Sequence, residues 1–250
     1  MKIAIHPVPF LLQQILIAAI LLGLSPASSS AAGKTQVLFH GKDLGGWRKP
    51  TGDWMVAKSV SLDPADPAKF LIVPGQGIAV NGASGRTVEF ITESEFGDVE
   101  VHVEFCIPRH SNSGVYLMGR YEVQVYDSFG VERDAYPGIE CGGIYPRWIN
   151  DKNVEGHSPR VNASKPPGQW QKFDITFRAP RFDGNGRKIA NAKFVKVVHN
   201  GTVIHENVEL TGPTRATLWE DEKPTGPIRL QGDHGPVAYR NLRVKAVELK

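Results

Sequence analysis

Glu122, Gln124 and Tyr126 recur at every second position of Tyr121-Glu-Val-Gln-Val-Tyr126, with Val123 and Val125 between them. Successive side chains of an extended strand point to opposite faces, so the carboxylate, amide and phenol fall in one row while the valines enter the core. Such a row is a rail of hydrogen-bonding groups suited to sugar hydroxyls, or an ordinary solvated strand face. Asp127 follows one residue out of phase and joins the rail only if a bulge turns it inward. His234 lies in the glycine-flanked turn Gln231-Gly-Asp-His-Gly235. Imidazole titrates near neutrality and suits proton transfer or metal ligation; the competing reading is a structural turn histidine bonded to backbone. Gln231 and Arg240 stand on the two short strands around that turn. Trp219, beside the acidic run Glu220-Asp-Glu222, either stacks on a sugar ring or packs on its own loop.

Glu122, Asp127 and His234 are candidate oxygen and nitrogen ligands for a divalent metal ion, although they are scattered and lack the tight spacing of a metal motif. Asp183-Gly-Asn-Gly186 begins like a calcium loop, but the ligands that should follow are missing, so a hairpin turn is the better reading. His199 and His205 flank the Asn200-Gly201 turn and read as structural, while His102 on a polar strand face stays open. There is no Gly-x-Ser-x-Gly elbow, phosphate loop, dinucleotide fingerprint or His-Glu-x-x-His, and no nucleotide cofactor is expected.

The elements that must position these groups are strands. Val99, Val101, Val103 and Phe105 alternate with Glu100, His102 and Glu104, the pattern of a strand with one face in the core. Ile228 and Leu230 point one way and Arg229 and Gln231 the other. Asn200-Gly201 is a strong hairpin signal and Gly119-Arg120 a short turn. Helical periodicity is absent beyond the N-terminal segment. With 26 Gly and 18 Pro punctuating short strands, the pattern predicts an all-β sandwich. Residues 146–170 show no strand pattern and are expected to form a rim loop carrying His157 and Arg160; residues 211–227 form a second long connection.

Ile15 to Leu24 form a nearly unbroken apolar run, and Ser30-Ala31-Ala32 offers a small-residue cleavage site, with Ser25-Pro26-Ala27 a second candidate. Residues 1–32 therefore read as a signal peptide, too short for a comfortable membrane anchor, ahead of one domain at 33–250 of about 218 residues. The mature protein is expected to be periplasmic or secreted, without a membrane anchor. The formal net charge is +3, and both signs are interspersed, so nucleic acid is not an expected partner. Cys106 and Cys141 either pair outside the cytosol or remain buried thiols.

Six stretches carry a resemblance in consistent order: LFHGKDLGGW at 38–47, NSGVYLMGRYEVQVYDS at 112–128, CGGIY at 141–145, NASKPPGQWQKFDITFRAPRFDGNGRKIANAKF at 162–194, VVHNGTVIHENVELTGPT at 197–214 and GPIRLQGDHGPVAYRNLRV at 226–244. Over about residues 36–248 the chain resembles the 3-keto-disaccharide hydrolase family, which is associated with 3-keto-glycoside lyases and hydratases. The resemblance implies a concanavalin A-like jelly roll of two curved antiparallel sheets, whose concave face holds an oligosaccharide or glycoside. It also implies elimination chemistry. A ketone at C3 acidifies the C2 proton, a base removes it, the enolate expels the anomeric substituent, and water adds to give net hydrolysis. A divalent metal ion would be one way to hold the enediolate. Direct displacement by a retaining glycosidase needs two carboxyl groups about 5 Å apart, and the position four residues after Glu122 is Tyr126. A non-catalytic, lectin-like carbohydrate-binding domain is the alternative, since one fold hosts both. N-terminal sequencing of the exported protein is expected to find a chain beginning near Gly33; an intact Met1 in the membrane fraction would refute cleavage.

Overall fold

The computed structural model describes Met1 and residues 33–132 and 140–250. The signal-peptide reading falls on residues 2–32, outside the described residues. The described chain has no helix, and nothing in it is a helix long and apolar enough to cross a membrane.

Two antiparallel sheets make the sandwich. The larger runs β14 (Thr202–Leu210), β13 (Ala192–His199), β10 (Gln171–Arg178), β5 (Val99–Cys106), β16 (Ala238–Ala246), β3 (Phe70–Val80) and β2 (Met55–Leu62), with β1 (Gln36–Val37) pairing with β16. The smaller runs β4 (Phe90–Phe96), β15 (Gly226–Leu230), β6 (Asn112–Leu117) and β7 (Tyr121–Tyr126). Alternation decides what lies between them. Val101, Val103, Phe105, Phe173, Ile175 and Phe177 from the larger sheet share one apolar cluster with Val115, Leu117, Val123, Val125, Ile228 and Leu230 from the smaller. Burying these residues supplies the main stabilisation, at about 25 cal/mol per Å² of apolar surface. Because valines and leucines claim the inner face of β6, β7 and β15, their polar neighbours are forced onto the other face.

Turn chemistry closes the hairpins. Met118 (φ 56°) and Gly119 (φ 63°) both adopt positive φ between β6 and β7, and Arg120 N–H donates to Leu117 O at 3.0 Å. Asp183 Oδ1 accepts the N–H groups of Asn185 and Arg187, so Asp183-Gly-Asn-Gly186 is the turn between β11 (Arg181–Phe182) and β12 (Lys188–Ala190). Residues 146–170 are not strand-free: β8 (Arg147–Ile149) pairs with β9 (Lys152–Val154). Asn150 (φ 50°) and Asp151 (φ 59°) make that turn, two residue types that tolerate left-handed backbone. Cys106 and Cys141 are free and buried. They sit in different apolar clusters, and burial pushes both thiols up to about 12.

One buried amide fixes the turn that carries His234. Asn81 Nδ2 donates to Gly232 O at 3.0 Å and to Gly235 O at 2.8 Å, while its Oδ1 accepts Val237 N–H at 2.8 Å. Ser111 Oγ adds a bond to Pro236 O at 2.6 Å. Asn81→Ala leaves those backbone groups unsatisfied and is expected to cost about 1–3 kcal/mol in denaturant unfolding; a loss below about 0.5 kcal/mol would show that the turn holds its shape without the amide.

Candidate functional site

The polar face of β6, β7 and β15 forms the floor of a cleft of about 380 Å³. Register sets its rows. Arg229, Tyr116 and Glu122 lie opposite one another across three strands, and Gly114 pairs with Gln124 in the next row, where Gln231 N–H donates to Gly114 O at 2.9 Å. Residues 142–145 extend the sheet along β7. Gly142 N–H donates to Gln124 O at 2.8 Å, Gln124 N–H to Gly143 O at 2.9 Å, and Tyr145 N–H to Glu122 O at 3.2 Å. That pairing brings Tyr145 to the wall beside Glu122.

Gly114 makes room for the carboxyl group. A Cβ there would stand 2.1 Å from Glu122 Oε1 and 2.9 Å from the Tyr116 ring, so Glu122 lies across a gap in β6. Glu122 is 2% exposed. Burial pushes its carboxyl up to about 8; the Tyr116 hydroxyl and Arg229 oppose the shift, and Glu89 and Asp233 add to it. Arg229 Cζ sits 4.0 Å from the centre of the Tyr116 ring, and its Nε is 2.7 Å from Glu89 Oε2. Arg229 is thereby committed to Glu89 and holds the tyrosine plate. At neutral pH the floor therefore presents a protonated carboxylic acid, a hydrogen-bond donor in an apolar setting.

Two further floor atoms, Asn112 Oδ1 and Gln124 Oε1, are buried and hydrogen-bond to nothing in the chain. Leaving such a group unpaired costs about 1–3 kcal/mol, and both belong to residues lining one cleft. A ligand rich in hydroxyls satisfies them. At the mouth, His234 Nδ1 bonds to Asp233 Oδ1, and both side chains are about half exposed. Arg86 steadies this pair by donating to Asp233 O at 2.9 Å. The bond engages one ring nitrogen and leaves Nε2 for a ligand.

The structure brings together Glu122, Gln124, Gln231 and His234 from the sequence reading. The other four candidates do not line the cleft. Tyr126 ends the rail 37% exposed, opposite Asn112 in register. Asp127 is not turned inward by a bulge; its Oδ2 accepts the N–H of His110 at 3.0 Å, holding a turn where His110 has φ 58°. Trp219 packs against the Gly119 turn with Arg120 Cζ 4.9 Å from its ring centre. Arg240 belongs to the larger sheet, bonded to Glu104 Oε2 at 2.7 Å and stacked on Trp170 at 4.0 Å. With Asp127 engaged elsewhere, Glu122, Asp127 and His234 do not form a ligand set. Among the described residues, no three His, Cys, Asp or Glu side chains converge as a metal site.

His102, His157, His199 and His205 lie outside the cleft. His199 bonds to Gln171 Oε1 at 2.9 Å and His205 to Gly142 O at 2.8 Å. Burial pushes His199 down to about 3 and His205 to about 4. His102 faces Asp174 at 2.5 Å in a groove of about 440 Å³ on the outer side of the larger sheet, a surface crossed by ion pairs such as Lys245 with Glu100 at 3.2 Å. His157 pairs its backbone with Ile144, Arg160 pairs with Glu206, and neither lines the cleft. The sequence reading missed Asn112, Tyr116, Tyr145 and Arg215, which also line the cleft. Asn112, Gly114 and Tyr116 did carry a signal, the same alternation as the rail. Tyr145 and Arg215 sit on loops and have no periodicity to reveal them.

Comparison with known proteins agrees with this geometry. Residues 34–245 match the 3-keto-alpha-glucoside-1,2-lyase-like domain. A crystal structure of a candidate glycosyl hydrolase from Parabacteroides distasonis superposes with a TM-score of 0.62 at 27% identity, covering 85% of this chain and 84% of that one. A second from the same organism gives 0.54 at 16% identity over 86% and 94%, and a third 0.53 at 18% over 86% and 100%; these two speak to the fold alone. No curated protein matches significantly. With a family match spanning nearly every described strand, the chain belongs to the 3-keto-alpha-glucoside-1,2-lyase-like domain family of carbohydrate-active proteins.

Proposed function

We propose that this protein cleaves 3-keto-glycosides by C2 proton abstraction, elimination and hydration, acting as a periplasmic or secreted enzyme. The observation that carries the reading is the contrast between two titratable groups in one cleft. Glu122 is buried and protonated at neutral pH, whereas His234 is half exposed and bonded to a carboxylate. A desolvated, protonated carboxyl group beside a solvent-accessible imidazole assigns acid and base. His234 Nε2 takes the proton from C2, and Asp233 balances the imidazolium that results. The C2–H electron pair moves toward C3, and the ketone oxygen, gaining negative charge, accepts a hydrogen bond from the Glu122 carboxyl. The enolate re-forms its carbonyl as the bond from C1 to the aglycone oxygen breaks, and His234 returns its proton to that oxygen. Water then adds across C1 and C2, restoring a 3-keto sugar with a free anomeric hydroxyl. Gln124, Gln231, Asn112 and Tyr116 bind hydroxyls and orient the ring. The chemistry needs no second carboxylate of the kind a displacement mechanism requires.

A 3-keto substrate deuterated at C2 is expected to lose its label to solvent during turnover, and His234→Ala to slow that loss by about 10²-fold or more. Cleavage of the unoxidised glycoside with the label retained would replace elimination by displacement. Binding of both sugars without change to either would make the site lectin-like.

Glu122 makes a second prediction, on pH. Its folded value of about 8 lies above its ordinary 4.5, so the native state holds this proton more tightly than the unfolded chain does. The stability it contributes is complete below about 4.5 and is lost as pH rises toward about 8. The Tm of the wild type is expected to fall across that window more steeply than the Tm of Glu122→Gln, which keeps a hydrogen-bond donor but cannot ionise. The same variant should lose about 10²-fold in kcat/KM and the alkaline limb near pH 8; equal slopes in Tm and an unchanged limb would remove Glu122 as the acid.

A further inference from the structure

The wall of the cleft carries a guanidinium with no acidic partner. Arg215 lines the cleft beside Tyr145 and Ala216. Its backbone N–H donates to Pro146 O at 2.8 Å, and its Cζ lies 3.9 Å from the centre of the Trp148 ring. Two loops thus meet to hold one cation in place: residues 211–227 supply the arginine, and the β8 strand supplies the aromatic plate. The neighbouring arginines are committed differently, Arg229 to Glu89 at 2.7 Å and Arg120 to Asp221 at 3.1 Å. Among the described residues no carboxylate forms an ion pair with the exposed Arg215, whose charge also acts on the Tyr145 hydroxyl. Glu122 does not neutralise it, being uncharged at neutral pH. A stacked guanidinium keeps its edge free, and that edge matches two carboxylate oxygens. The floor nearby offers hydroxyl-binding groups rather than a second cation, which fits a sugar carrying one acidic substituent.

We propose that Arg215 binds a carboxylate on the glycoside and makes the cleft selective for acidic glycosides. This rests on the reading of the cleft as a glycoside site. Trp148 is the positioning residue, holding the guanidinium plane by a cation–π contact.

The test is a binding titration with unoxidised sugars, independent of turnover. Methyl α-glucuronide carries the carboxylate on the sugar and 4-carboxyphenyl α-glucoside on the aglycone; methyl and phenyl α-glucoside are the neutral counterparts. At least one acid is expected to bind about 10-fold tighter than its neutral counterpart, the scale of one charge-assisted pair, and the arm that responds locates the carboxylate. Arg215→Met, which keeps an unbranched apolar stem over Trp148, should abolish that advantage and leave the neutral sugars unchanged, while Arg215→Lys should keep part of it. Equal affinity of the wild type for acidic and neutral sugars would overturn the proposal, as would an Arg215→Met variant weakened equally toward both. If no glycoside binds at all, the glycoside reading itself falls with it.

Discussion

A side chain at Gly114 would collide with Glu122 Oε1 at 2.1 Å, and the character of the cleft follows from that vacancy. The carboxyl group lies across β6 instead of standing in solvent, so it is 2% exposed and loses most of its hydration. Desolvation disfavours the charged form. Tyr116, in the same row, closes the space on one side and is itself held by Arg229 at 4.0 Å. The guanidinium is then kept from pairing directly with Glu122 by its bond to Glu89 at 2.7 Å. A missing methyl group in one strand thus becomes a protonated acid two strands from its controlling cation.

Such a floor is costly, and the sandwich has to carry it. Asn112 Oδ1 and Gln124 Oε1 are buried without partners, and a raised carboxyl value withdraws stability as pH rises. The offset comes from the opposite face of the same strands. Val115, Leu117, Val123 and Val125 are fully buried against the larger sheet, so each strand is apolar on one side and poised for ligand on the other. This division explains why the site sits on strands and not on loops. Strand register holds the row Arg229, Tyr116, Glu122 more closely than a mobile segment would.

The mouth is built differently. His234 is placed by backbone bonds from Asn81, which is more than 150 positions away along the chain. The turn is therefore rigid while its imidazole stays half exposed. Floor and mouth differ in their access to water: the Glu122 carboxyl is shielded from it, and the His234 imidazole reaches it.

Much of this was legible in the sequence because period-two alternation is a local property. It identified the sandwich, the inward valines, and the shared face of Glu122 and Gln124, and the ordered motifs pointed to the family that the 34–245 match establishes. It also placed Ile228 and Leu230 opposite Arg229 and Gln231. What alternation cannot report is depth. Glu122 and Gln124 resemble an exposed rail in sequence, yet each is 2% exposed, because residues 142–145 lie down beside β7 and the 211–227 connection covers the turn end. Nor can it report which polar residues reach a common space. Asp127, Trp219 and Arg240 have suitable chemistry, but a turn, an arginine and the other sheet claim them. Tyr145 and Arg215 join the cleft through contacts between distant loops. The sequence by itself determined which way each strand residue faces, since that follows from the pleat; only the tertiary structure decided which of those residues share a desolvated volume, since that depends on what packs over them.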